Sequence, residues 1–317
     1  YGRKNSLRKR VLIAMIEKIN GDIAHFEAAL TSEDLADLLS DAGIRLIRAW
    51  GGYRPSTSDL EKLNDLFRLR PEIEFCATEP GQLRGLPELQ RVSEAVSGCF
   101  GEALEDLKAL KRLRSLGLTE ANFTALPEYA DTLEELSLSG RLSKKSGACL
   151  SKLTRLKALS LSGTTLESFA CIGKIKLTSL YVYGNRPNSP AGLEALSSLR
   201  ELRVKNNSSW TDFSFLTELR NLESLCLEYC AKLRALVPLD ALRQLRYVRL
   251  GNCDCLEDIL PLRGLPEDCE VFATGRKLLQ AGIAYEYSPK TGVADWCREA
   301  SLNLPAEILA RGREVPY

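Results

Sequence analysis

LRELRVKNN (Leu199–Asn207), LESLCLEYC (Leu222–Cys230) and LRYVRLGNC (Leu245–Cys253) belong to one stretch, and their register decides the fold. Their first residues lie 23 positions apart both times, and each segment fits the template L-x-x-L-x-L-x-x-N/C. A unit of this kind is one strand plus a return path. It cannot bury its apolar side alone, so it stacks on its neighbours. Template positions 1, 4 and 6 then point inward, while strand alternation leaves positions 3, 5, 7 and 8 facing outward. Position 9 turns its side chain under the strand to bond loop backbone.

Working towards the N-terminus, the same register appears in LRSLGLTEA from Leu113, LEELSLSGR from Leu133, LKALSLSGT from Leu156 and LTSLYVYGN from Leu177. With the three segments above, successive starts are offset by 20, 23, 21, 22, 23 and 23 residues. A weaker unit, LPELQRVSEAV, supplies Leu89 and Val92. The position-9 column reads Ala121, Arg141, Thr164, Asn185, Asn207, Cys230 and Cys253; the last four fit the N/C rule, while Arg141 does not and sets the Leu133 unit apart. Ahead of most units a second pattern places Leu every three residues, as in LSKLTRL, LEALSSL, LTELRNL and LDALRQL. That spacing suits a tight or 3₁₀-like return, and a unit of about 22 residues leaves little room for a long helix.

Residues 1–85 match the repeat poorly. Apolar spacing predicts helices over Leu7–Ile19, Ser32–Ser40 and Asp59–Leu69, with Thr31 or Ser32 capping the second. AGIRLIRAW (Ala42–Trp50) alternates like a strand, as does the stretch around Ile73 and Phe75. These units read as a helical N-terminal cap of degenerate repeats, since terminal repeats must cover an exposed apolar end. The register stops after CEVFATG (Cys269–Gly275). A hairpin around Ser288–Gly292 and a helix over Asp295–Leu309 would make a small C-terminal cap. The expected division is therefore residues 1–85 as N-terminal cap, 86–275 as solenoid and 276–317 as C-terminal cap.

Composition narrows the function classes. A hydrophobic fraction of 44% with 27% charged residues describes a folded globular chain rather than a disordered one. Lys and Arg number 43 against 42 Asp and Glu, so no global field favours nucleic acid or an anionic membrane. No apolar run approaches the ~18 residues of a membrane span. The basic start YGRKNSLRKR is followed by an apolar run, Val11–Ile16, too short for a signal peptide, so it reads as the first turn of an amphipathic helix. The first residue is Tyr1 rather than Met, which leaves room for upstream sequence. Ten scattered cysteines, several at repeat core positions, read as reduced thiols in a cytoplasmic setting.

Candidate chemistry is sparse. His25 is the only histidine and sits in an apolar, helical-looking context, IAHFE, with no nucleophile beside it. A Ser-His-Asp or Cys-His site would have to use it. Neither a G-x-x-x-x-G-K-[ST] loop nor a strand-linked G-x-G-x-x-G is present. Cys253 and Cys255, with Cys226 and Cys230 one unit earlier, could crowd thiols together. Two of the four are better explained by position 9, and Cys226 should face the opposite surface, so no metal is expected. The chain reads as a non-enzyme without cofactors, and it carries no signal for oligomeric state.

The outward positions are more informative. In the earlier units they are mostly small: Ser115, Gly117, Thr119, Ser137, Ser139, Ser160 and Ser162. From the Leu177 unit onward they become Tyr181, Tyr183, Arg203, Lys205, Glu228, Tyr229, Tyr247 and Arg249, with Trp210 in the loop just after. Tyr, Trp and Arg dominate interface energetics. On strands about 4.8 Å apart they form one candidate partner-binding patch, although Tyr and Arg also favour exposed strands by propensity alone. Asp254, Glu257, Asp258, Glu267, Asp268 and Glu270 add an acidic run in the last unit, by default a solvated loop.

These repeats resemble bacterial leucine-rich repeat proteins of the short, 22-residue, internalin-like class over roughly Leu86–Gly275. TDFSFLTELRNLESLCL (Thr211–Leu227) and LEDILPLRGLP (Leu256–Pro266) look like that class's return segments, and CAKLRAL (Cys230–Leu236) is worded like cysteine-containing leucine-rich repeats. The resemblance implies an α/β leucine-rich repeat solenoid with a parallel concave sheet and short 3₁₀ or irregular convex segments. It also implies binding of a protein partner, without identifying it. The reading that follows is a cytoplasmic bacterial protein binding its partner through the concave C-terminal half, in its most specific form an immunity protein that neutralises a toxin. The alternative is the substrate-recognition part of a secreted effector acting on a host protein.

Overall fold

A computed structural model describes residues 17–19, 23–26, 29–49, 54–77, 81–95, 110–118, 132–140, 150–164, 166, 168–184, 189–266, 268–280 and 285–287. The chain divides into two units, Tyr1–Asn122 with Leu126–Leu138, and Phe123–Ala125 with Ser139–Tyr317.

In the first unit β1 (Glu17–Ile19) runs antiparallel to β2 (Ile23–Phe26). From β2 onward the strands are parallel: β3 (Leu46–Ala49), β4 (Glu74–Ala77), β5 (Arg91–Ala95), β6 (Ser115–Leu118) and β7 (Glu135–Ser139). Two helices make the early crossovers, α1 (Ser32–Ser40) and α2 (Thr57–Leu69). Each starts on a reciprocal cap. Thr31 Oγ1 accepts the Asp34 N–H while Asp34 accepts the Thr31 N–H, and Ser56 and Asp59 repeat the arrangement. Asp59 also accepts the Leu30 N–H at 2.9 Å, which ties α2 to the segment preceding α1. Arg70, just past α2, donates to the carbonyls of Leu38, Asp41 and Ile44, at the end of α1 and in the turn behind it. Phe67 of α2 meets Phe75 of β4 edge-on, 6.0 Å between centroids, and both are fully buried.

The sequence expectation is corrected at two places here. Glu17–Ile19 is a strand rather than the end of a helix, and the remainder of Leu7–Ile19 lies outside the described residues. His25 accordingly sits on strand β2. Both follow from Asn20 and Gly21 between the two segments, residue types that favour chain reversal over helix continuation. The third expected helix starts two residues early, at Thr57, because Ser56 is its cap.

The second unit is more regular. Its parallel strands are β8 (Ala158–Ser162), β9 (Ser179–Tyr183), β10 (Glu201–Lys205), β11 (Ser224–Glu228), β12 (Tyr247–Gly251) and β13 (Glu270–Ala273). Beyond α3 (Arg276–Gln280), β14 (Tyr285–Tyr287) returns antiparallel along β13. The rest of the expected C-terminal hairpin and helix lies outside the described residues. Returns are short 3₁₀ turns at Phe169–Ile172, Leu193–Ala195, Ser214–Glu218 and Leu260–Gly264, as the three-residue leucine spacing implied. Core columns run straight through the strands: Leu180, Leu202, Leu225, Val248 and Val271 in one, and Val182, Val204, Leu227, Leu250 and Ala273 in the next, all buried. Of the position-9 residues, Thr164, Asn207, Cys230 and Cys253 are buried too, and Ala121, Arg141 and Asn185 lie outside the described residues.

A repeated hydrogen-bond step joins the coils. The Thr178 and Ser179 N–H groups both donate to Lys157 O, those of Arg200 and Glu201 to Thr178 O, and those of Glu223 and Ser224 to Arg200 O. The Arg246 and Tyr247 groups do the same to Glu223 O. Position 8 is left-handed in the six units from Leu133 onward: Gly140, Gly163, Gly184, Asn206, Tyr229 and Asn252 all have positive φ. One parallel strand per unit, short returns and continuous inward columns make this a leucine-rich repeat solenoid.

Candidate functional site

The outward face of β9–β13 is organised in rows, because the five strands pair without a register shift. Ser179, Glu201, Ser224, Tyr247 and Glu270 form the row at the strand starts. Tyr181, Arg203, Cys226, Arg249 and Phe272 form the middle row. Tyr183, Lys205, Glu228 and Gly251 form the end row, and Tyr229 follows Glu228 at the left-handed position.

Eight of the nine candidate residues are thus brought to one face. Tyr229 and Tyr183 are open aromatics, at 54% and 39% exposure. Arg203 is exposed, while Tyr181, Lys205, Tyr247 and Arg249 are half-buried. The Tyr181 and Tyr183 rings stand 6.3 Å apart along their strand. Trp210, the ninth, is a correction: it is 1% exposed and belongs to the core. The reason is local. Asn207 Oδ1 accepts the N–H groups of Ser209 and Trp210, which curls the loop back under the strand. The indole is thereby laid edge-on against Phe169, Phe213 and Phe215, at 5.7–6.1 Å between centroids.

Glu228, at the end of the central strand β11, is buried to 7% exposure. Its two oxygens take Lys205 Nζ and Arg249 Nε, one each. Gly251 makes the space: a Cβ there would lie 3.1 Å from Glu228 Cγ. The Arg249 guanidinium in turn lies over the Phe272 ring, 4.3 Å from its centroid, a favourable cation–π geometry. Arg203 bonds Glu201 at 2.7 Å, and Ser179 Oγ donates to the same carboxylate at 3.1 Å. Phe272, Glu201 and Gly251 escaped the sequence reading. The alternation of CEVFATG could have found Phe272, whereas the Gly251–Glu228 fit had no sequence signal.

Burial alone would raise the Glu228 pKa, but hydrogen bonds from Lys205 and Arg249 outweigh it and bring the carboxyl below its usual range. The same bonds to Glu228 raise Lys205 and Arg249. Burial, with the Glu228 charge adding to it, pushes the Cys226 thiol up to about 11, so the floor between the two arginines is a neutral SH. A carboxyl whose pKa falls on folding stabilises the native state above its unfolded value, and that contribution disappears as pH drops through the folded value. Glu228→Gln is therefore expected to be less stable than wild type at neutral pH by about 1–3 kcal/mol. The gap should narrow below about pH 4, measured by urea unfolding across pH; a gap constant with pH would contradict this.

Elsewhere the site chemistry is spare. Among the described residues no group of three or more His, Cys, Asp or Glu side chains is placed to hold a metal ion. Among them, too, no helix is long and apolar enough to cross a membrane. Part of the acidic run is engaged in ion pairs: Asp254 with Arg276, Glu257 with Lys277 and Asp268 with Arg246.

No family model matches the sequence, and neither does any curated protein. Solved structures do resemble the fold. Internalin C2 of Listeria monocytogenes shares 22% identity, covering 61% of this chain and 83% of its own, with a TM-score of 0.44. A second internalin of that organism, InlF, shares 14% over 78% of this chain and 85% of its own, with a TM-score of 0.48. The leucine-rich repeat domain of the type III effector XopL shares 18% over 68% and 83%, with a TM-score of 0.42. These are bacterial leucine-rich repeat structures of the kind the sequence resembles, and the likeness is one of fold.

Proposed function

We propose that the chain is a non-enzymatic protein-binding solenoid whose partner seats on the outward face of β9–β13. The observation that carries this is the change of side-chain size along the outward rows. β8 presents Ala158, Ser160 and Ser162, while the five strands after it present Tyr, Arg, Lys, Glu and Phe in register. Arg and Tyr combine large contact area with directional hydrogen bonding, and Glu228 pre-positions two of the cations, so less side-chain freedom remains to be lost on binding. Residues 86–275 act as the recognition solenoid, with 1–85 and 276–317 as its caps. In its most specific form the reading is of a cytoplasmic, immunity-like protein that neutralises its partner by covering it.

The test is capture of the native partner from the source organism by the full chain, with mass spectrometry to identify it. Tyr183→Ala combined with Arg203→Glu should weaken capture by about 100-fold or more and leave the melting temperature unchanged. Undiminished capture would refute the face.

A further inference from the structure

We propose that Tyr229 is the anchor of this face and that the partner segment it receives is acidic; the inference rests on the reading that the face binds a protein. The first observation is conformational. Six successive units place position 8 in the left-handed region, at Gly140, Gly163, Gly184, Asn206, Tyr229 and Asn252. Five of the six are Gly or Asn, the residues that adopt this conformation with least strain. Tyr229, with φ of 53°, is the one bulky side chain in the column.

Among the described residues nothing local accounts for it. The backbone bond at this position, Tyr229 N to Gly251 O at 2.8 Å, is made equally well by Gly184 N to Lys205 O and Asn206 N to Glu228 O, both 2.9 Å. Nor does the ring fill the core, since Tyr229 is 54% exposed. An unfavourable backbone conformation kept for a side chain that faces solvent points to a contact outside the chain.

The second observation is charge. Around Tyr229, the middle and end rows hold Arg203, Lys205 and Arg249 against a single carboxylate, Glu228. Glu228 is shared by Lys205 and Arg249, so that trio keeps a net positive charge. Glu201, which pairs with Arg203, and Glu270 lie in the row farthest from Tyr229, and both partners of the Arg203–Glu201 pair are substantially exposed. An exposed pair of this kind contributes little and yields readily to an incoming carboxylate. Arg203 and Arg249 are two strands apart, roughly 10 Å, with the neutral Cys226 between them. The complement is a protein segment carrying spaced Asp or Glu side chains, with an apolar group against the Tyr229 ring.

The experiment is selection of a random-peptide display library on the purified full chain, followed by titration of synthetic winners. Enriched sequences should be rich in Asp and Glu and lose affinity as salt rises. Tyr229→Asn should weaken them about tenfold or more while melting at the same temperature or a few degrees higher, because Asn already occupies this position at 206 and 252. Opposite signs for binding and stability are what a packing role could not produce. Basic or uncharged winners, no enrichment, or equally tight binding of a mixed-sequence oligonucleotide would overturn the acidic protein partner. Acidic winners lost on Tyr183→Ala with Arg203→Glu but retained by Tyr229→Asn would overturn the anchor and leave the face standing. Winners indifferent to both variants would count against both.

Discussion

Trp210→Ala should lower stability by about 3–5 kcal/mol, read as a shift of the urea midpoint at constant slope. The indole is fully buried among Phe169, from the return after β8, and Phe213 and Phe215, from the return after β10. Truncation removes the largest fully buried side chain among the described residues and leaves a cavity whose walls are held by strand pairing on either side, so collapse is limited. Trp210→Phe, which keeps an aromatic group in the same place, should lose much less. Any loss of binding in Trp210→Ala should match the loss of folded protein. A full loss of stability-corrected binding would return the residue to the recognition surface and contradict its burial.

Gly192→Ala is the second large effect, expected at roughly 3–5 kcal/mol from backbone strain and overpacking together. Gly192 has φ of 98°, and a Cβ built on it would lie 2.2 Å from Ala170 N and 2.5 Å from Phe169 C. Those atoms are backbone, held in turn by Phe169 N donating to Ala191 O at 3.0 Å and Ser168 Oγ donating to the same oxygen at 3.1 Å. Two coils therefore touch main chain to main chain here, and neither can retreat without breaking these bonds. A variant that melts within a degree or two of wild type would show that the coils can part, and would invalidate the close approach.

How much of this was readable from residues alone depends on what kind of signal each part left. The inward columns were legible because burial is enforced once per coil: Leu199, Leu222 and Leu245 each sit at zero exposure. Short returns were legible for the same reason, since leucines three apart suit 3₁₀ geometry better than an α-helix. Outward rows followed from strand alternation. Trp210 did not, because it lies beyond position 9, where placement depends on how Asn207 ties the loop back. The antiparallel pairing of Glu17–Ile19 was hidden by an apolar spacing that fits a helix equally well over a short window. The grip on Glu228 was hidden as well: it joins Lys205 of the coil before it with Arg249 and the missing side chain of Gly251 in the coil after it. Left-handed backbone at Tyr229 could have been suspected from the Gly and Asn that fill its column elsewhere.

The stepped hydrogen bonds of the second unit have a mechanical corollary. Each strand start hangs from the carbonyl of the coil just before it, so cohesion along the stack is a chain of nearest-neighbour links. Coils β9 and β13 share no such link. A partner lying across all five strands would bridge them directly, acting as a splint. Opening any one coil would then break contacts made through the others, and segments that could fray singly would be made to unfold together.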